Sequence, residues 1–117
     1  MRYVGWALLA GLLLAGCGGR GNETDPAAQA AVGKELYTRN GCAVCHGDQG
    51  RGDGRMAPTL QPPPRDFTDS TAYSRGAGIE QIKASIRNGT GAMPAYPHLK
   101  SGDIHLIALY IRSLQKP

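Results

Sequence analysis

An all-α domain with long loops is the fold class this chain predicts, on three observations. Apolar residues recur at helical spacing in three segments. No segment alternates apolar and polar residues as a half-buried strand would, and no stretch repeats another. Between the first two helical segments lies a glycine- and proline-rich stretch without any period.

The first helix is expected from Pro26 to about Arg39. Asp25 supplies an N-cap carboxylate, and Pro26 takes the first helical position, where its missing N–H costs nothing. Val32 and Leu36 fall four apart on one face, with Gly33 and Tyr37 beside them, and Asn40-Gly41 ends the helix. Residues 47–69 then form a long loop, from the glycine-rich run Gly47 to Gly54 through Pro58 and Leu60 to the triple proline 62–64. A loop of that length in a small domain is functional or wraps something. It is not a phosphate-binding loop, since no strand precedes it and no Gly-Lys-Ser/Thr closes it. An EF-hand is excluded by the wrong acidic spacing and the missing bidentate glutamate.

The second helical segment runs from Gly78 to Asn88, with Ile79, Ile82 and Ile86 as its stripe and Asn88-Gly89 as its stop. A loop through Met93-Pro94 leads to the third, which Ser101 is expected to cap and in which Ile104, Ile107, Ala108, Ile111 and Leu114 share one side.

The amino terminus reads differently. Met1-Arg2 is a short positive start, and the apolar run from Tyr3 ends in small residues at Gly16, the plan of a secretory signal over residues 1–16. A membrane span needs about 20 apolar residues, so this run is short for a permanent anchor. Leu14-Ala15-Gly16-Cys17 resembles the lipobox of bacterial lipoproteins, and the resemblance implies cleavage before Cys17 and lipid on its thiol. Residues 17–25, polar and rich in glycine, then serve as a flexible tether that spans roughly 30 Å when extended. The expected location is the periplasmic side of a bacterial membrane, with residues 26–117 as the domain.

Cys42-Ala43-Val44-Cys45-His46 carries the chemistry. Two thiols at this spacing add across the two vinyl groups of haem, and the following histidine ligates the iron from below; this is the attachment signature of haem c. The cysteine count agrees: three cysteines are absorbed by one lipid and two thioethers, with no disulfide required. The net charge of +4 comes from scattered lysines and arginines, which gives no nucleic-acid footprint. About 100 mature residues make a domain marginal in core size without a staple, and a covalent macrocycle is one.

From these residues the chain resembles the class I c-type cytochromes over nearly all of 26–117. The resemblance implies a cytochrome c-like fold around one haem, in which the first and last helices cross almost at right angles, with Gly33, Tyr37 and Tyr110 at the crossing. Leu60 to Phe67 is similar to a segment of small monohaem domains from bacterial respiratory chains. The resemblance also assigns the Pro58 carbonyl as partner of the His46 ring, packs Leu60 on the ring system, and makes Met93 the sixth ligand, stiffened by Pro94. Met56, His98 and His105 are the other candidates for that position. Met56 reads as packing or exposed, and both histidines as surface residues. Arg65 and Tyr96 each stand beside a segment expected to wrap the haem, where either a propionate contact or an ordinary structural part fits.

Histidine–methionine ligation leaves no open coordination site and raises the reduction potential. The expected function is therefore a carrier of single electrons between transient protein partners, acting as a monomer and with no catalytic residue of its own. A ligand sensor or peroxidase with a labile methionine is the rival reading. A thiol oxidoreductase lacks the βαβ pattern it needs, and a structural zinc module lacks a second pair of ligands.

Overall fold

The computed structural model describes residues 24–73 and 76–116; Cys17 and the leader expected over 1–16 lie outside them. Four α-helices follow in order: α1 Pro26–Arg39, α2 Cys42–His46, α3 Ile79–Asn88 and α4 Ser101–Ser113. Single 3₁₀ turns at Ala57–Thr59 and Ser70–Ala72 punctuate the long connection between α2 and α3. There is no named strand among the described residues; Thr90 and Met93 form one isolated bridge.

α1 begins as its sequence dictates. The Asp25 carboxylate accepts from the Ala27 N–H at 3.1 Å, Pro26 opens the helix, and the Asn40 N–H bonds to Leu36 O at its end. Its buried face is the one the family resemblance implies, at Gly33 and Tyr37, but the apolar pair Val32 and Leu36 does not define it. Val32 is 45% exposed, whereas Gly33 and Tyr37 are buried and Leu36 is half-buried. The reason is how closely α4 approaches. A Cβ on Gly33 would stand 2.0 Å from the Leu106 carbonyl oxygen and 3.0 Å from Tyr110 Cβ, so the helices touch backbone to backbone at that point. The crossing rotates α1 until its glycine, not its valine, faces inward.

α2 is the haem-attachment motif itself, folded as a short helix after Gly41 turns the chain with φ of 77°. Its carbonyls are closed by the loop that follows. Met56 N–H donates to Val44 O, Gly54 N–H to Cys45 O and Gly52 N–H to His46 O, at 2.8–3.0 Å. A helix of this length satisfies few of its own carbonyls, so the glycine-rich loop does it instead. That is what the aperiodic stretch after His46 is for.

α3 is amphipathic, burying Ile82 and Ile86 against α4. α4 buries Ile104, Ile107, Ala108, Tyr110 and Ile111. One expectation fails at its start: Lys100, not Ser101, is the N-cap, Ser101 is already helical, and no side chain caps the end. Asp103 supplies the negative charge that complements the helix dipole in the first turn.

The core joins α1, α3 and α4 through Tyr37, Phe67, Ile82, Ile86, Ile104, Ile107, Ala108, Tyr110 and Ile111. Tyr37 packs edge-on against Tyr110, with centroids 5.2 Å apart, and against Phe67 at 6.5 Å. Its buried hydroxyl donates to Gly47 O at 2.6 Å, tying α1 to the residue after His46. Burial drives the phenol pKa strongly upward, so Tyr37 keeps its proton and remains a donor. Tyr37→Phe leaves the ring packing intact and removes the Gly47 carbonyl's phenol donor. The expected cost is about 1–2 kcal/mol, read as a lower denaturant midpoint with an unchanged slope.

Candidate functional site

A cavity of about 360 Å³ opens beside α2. Cys42, Cys45 and His46 line it, together with Leu60, Phe67, Ile82, Ile86 and Met93. Its size and mainly apolar lining suit a small ligand site. Four of the residues named from the sequence thus meet there, and Leu60 is the fifth. Pro58 does not: it sits exposed in the 3₁₀ turn and is absent from the cavity wall.

The part assigned to Pro58 belongs to Arg65. His46 Nδ1 lies 3.2 Å from the Arg65 carbonyl oxygen. A carbonyl only accepts, so this bond places the proton on Nδ1 and leaves the Nε2 lone pair for a metal. Burial is the main influence on the His46 pKa and lowers it, which favours the neutral imidazole a ligand must be. Phe67 stacks on the same ring, centroids 4.3 Å apart and planes inclined by 23°. Neither Arg65 nor Phe67 was assigned to the histidine from the sequence. Their signal was the Pro-Arg-Asp-Phe segment, but a backbone carbonyl's partner is decided by the path of the chain.

The two cysteines are free thiols, half-buried. Burial pushes the Cys42 thiol up to about 11, and Cys45 beside it adds to the rise. A redox-active thiol needs the opposite shift, toward the thiolate at neutral pH, and burial gives Cys42 no such activation.

Met93 is carried by a braced loop. Thr90 and Met93 exchange backbone bonds, N–H to O at 3.2 and 2.9 Å, and Tyr96 N–H donates to Ile86 O at 3.0 Å, fixing the loop to α3. Gly89 makes the brace possible. Its φ is 72°, and a Cβ there would stand 2.7 Å from Met93 O and 2.9 Å from Ala95 N. Gly89→Ala should therefore push the methionine loop away from the cavity. The expected cost is about 1–3 kcal/mol, with a weakened methionine–iron band in the ferric spectrum as the specific readout.

The other sulfur and imidazole candidates stay outside. Met56 is 43% exposed, and His98 and His105 are exposed. Tyr96 lines the cavity close to the thiols: burial raises its phenol pKa first, and then the charges of Cys42 and Cys45.

The residues present fit a covalently held haem. The cavity offers two thiols, an imidazole with one nitrogen free, a thioether and apolar walls. It also holds one buried polar atom without a hydrogen-bond partner, Arg65 Nη1, which a carboxylate-bearing group would satisfy.

Comparison with known proteins agrees. Residues 28–111 match the family model described as cytochrome c oxidase, cbb3-type, subunit III. Cytochrome c6 of Leptolyngbya boryana is 38% identical over 85 residues, covering 72% of this chain and 91% of that protein. Cytochrome c6 of Cyanidioschyzon merolae is 30% identical over 92 residues, covering 77% of this chain and 79% of that one. A thiosulfate dehydrogenase of Stutzerimonas stutzeri is 30% identical over 89 residues, but the chain spans only 28% of its length. Among solved structures, a chain of the Kuenenia stuttgartiensis reducing HAO-like protein complex superposes with a TM-score of 0.69 at 25% identity. That match covers 82% of this chain and 48% of the other.

The fold and the attachment motif define a c-type cytochrome. This chain belongs to the class I monohaem c-type cytochromes, the family of the cytochromes c6 it resembles. Its activity is electron transfer through covalently bound haem c.

Proposed function

We propose that this protein is a membrane-tethered carrier that holds one haem and passes single electrons between extracytoplasmic partners of a respiratory chain. The observation that carries the reading is the meeting of Cys42, Cys45, His46 and Met93 in one apolar cavity. Cys42 and Cys45 would hold the haem by thioethers, and His46 Nε2 and the Met93 sulfur would ligate its iron. When bound, the haem would supply a one-electron couple, and ligation by both His46 and Met93 would leave no site for a substrate. The description of the matching family, an oxidase subunit, favours a respiratory partner. Docking is transient, as redox encounters are.

The tether rests on the sequence before residue 24: an apolar run that ends in Leu14-Ala15-Gly16-Cys17. We assign the attachment to a lipid on Cys17; no helix among the described residues is long and apolar enough to cross a membrane. Cys17→Ser should release the haem-bearing domain from the membrane fraction into the soluble extracytoplasmic fraction. Retention in the membrane would refute lipid anchoring.

The deciding experiment is the spectrum of the protein made with a haem-attachment system. A c-type spectrum with a methionine–iron band in the ferric form, unmoved by carbon monoxide in the ferrous form, is the expected result. A ready shift with carbon monoxide would replace the carrier by a ligand sensor or peroxidase.

A further inference from the structure

The turn that follows α4 is bonded to the segment that covers His46. The contact begins at Leu114. A Cβ built on Gly50 would stand 2.7 Å from Leu114 Cδ1 and 2.9 Å from Phe67 Cδ2, so the leucine and the phenylalanine meet over that glycine. Two residues further on, Lys116 N–H donates to Thr68 O at 3.3 Å. Between them Gln115 Nε2 donates to Ala77 O at 3.1 Å, and Gln115 Oε1 accepts from Arg112 Nη1. A guanidinium only donates and a carbonyl only accepts, so these two partners fix which way the amide faces.

The bonds continue to Phe67. Burial raises the Tyr73 phenol pKa, and a hydrogen bond from the Gln115 side chain partly offsets the rise. The same phenol donates to Phe67 O at 3.2 Å. On its other side Phe67 N–H donates to Gly50 O at 2.7 Å. Phe67 is thus held at both of its backbone groups, while its ring lies on the His46 imidazole with centroids 4.3 Å apart. The donors along this path run in one direction, from Arg112 through Gln115 and Tyr73 to Phe67, the order in which hydrogen bonds polarise one another. Of these side chains only Tyr73 and Phe67 reach the cavity wall.

We propose that the turn after α4 is a positioning clamp for the iron site. Gln115, anchored on Arg112 and Ala77, holds Phe67 through Tyr73, and the Phe67 ring keeps water from the His46 imidazole. This rests on the haem-binding reading above. The apolar shell around a metal site sets its solvent access and so its potential. The ferric state carries the additional positive charge, so water admitted beside the imidazole favours it. Loosening the clamp therefore lowers the potential without removing an iron ligand.

The test is a double-mutant cycle on the haem-loaded protein, with Gln115→Met, Tyr73→Phe and the two combined. Methionine keeps the size and neutrality of Gln115 but makes none of its hydrogen bonds. Two quantities are read: the midpoint potential, and the rate at which the His46 Nδ1–H exchanges with water in the ferrous NMR spectrum. Gln115→Met should shift the ferric-to-ferrous balance toward the ferric form by roughly threefold, which is about 28 mV for a one-electron couple. It should also speed the exchange roughly fivefold, the equivalent of one lost hydrogen bond. Because Gln115 acts through Tyr73, the double variant should match Tyr73→Phe alone. A wild-type value of either quantity in Gln115→Met overturns the clamp, and additive effects overturn the route through Tyr73. Should Gln115→Met not accumulate, the wild-type protein decides. Its Gln115 side-chain amide protons should exchange several times more slowly than those of Gln61, which is exposed, and equal rates refute the clamp. A wild-type protein without a c-type spectrum would refute the haem reading itself, a result visible before any variant is made.

Discussion

Gly33→Val lowers the melting temperature of the haem-loaded protein by roughly 12–24 °C, the equivalent of about 3 kcal/mol in a domain of this size. A side chain at position 33 starts with a Cβ 2.0 Å from the Leu106 carbonyl oxygen and 2.7 Å from its carbon. No rotamer relieves a clash with backbone, so α1 and α4 must separate, and Tyr37 and Tyr110 lose their edge-on contact at 5.2 Å. Even alanine loses on balance. It gains about 1 kcal/mol of helix propensity over glycine, but the same Cβ clash outweighs that. Gly102 is the control. Also in a helix, it has no atom within 4 Å of a built Cβ, so Gly102→Ala should be neutral or slightly stabilising. Thermal melts of both alanine variants separate a crossing effect from a general intolerance of side chains. Equal melting temperatures for the two would refute the close crossing.

Met93→Ala opens the sixth coordination position. The expected results are loss of the methionine–iron band, binding of carbon monoxide by the ferrous protein, and a fall in midpoint potential on the order of 0.2 V. That is a fraction of the roughly 0.8 V over which axial ligands tune haem iron. The fold should survive, because the loop keeps its Thr90–Met93 and Tyr96–Ile86 backbone bonds and Gly89 still seats it. Stability should fall only by the packing of one half-buried thioether, about 1–2 kcal/mol. An unaltered spectrum would transfer ligation to another residue, and Met56, His98 and His105 all start from exposed positions.

These two substitutions also separate what was legible in the residues from what was not. Asp25-Pro26 and the isoleucine stripe of α3 declare their helix by local chemistry, since a cap and a 3.6-residue period are properties of neighbouring residues. Cys42, Cys45 and His46 are legible for the same reason: the attachment chemistry needs those groups within one short turn. The last helix shows the limit of such signals, for a serine in the right place did not become its cap.

By itself, then, the chain determined the all-α class and the haem motif, while its resemblance to the family pointed to Met93 and to the glycine at the helix crossing. Tertiary structure decided which face of α1 turns inward, leaving Val32 out so that α4 could lie against Gly33. It also decided which carbonyl meets His46. Pro58 and Arg65 both follow the motif on one aperiodic loop, and every residue carries a carbonyl, so no side-chain pattern distinguishes them. The choice falls to Arg65 because the loop, spent on closing the carbonyls of α2, brings residues 64–67 back across the histidine and leaves Pro58 in the solvent.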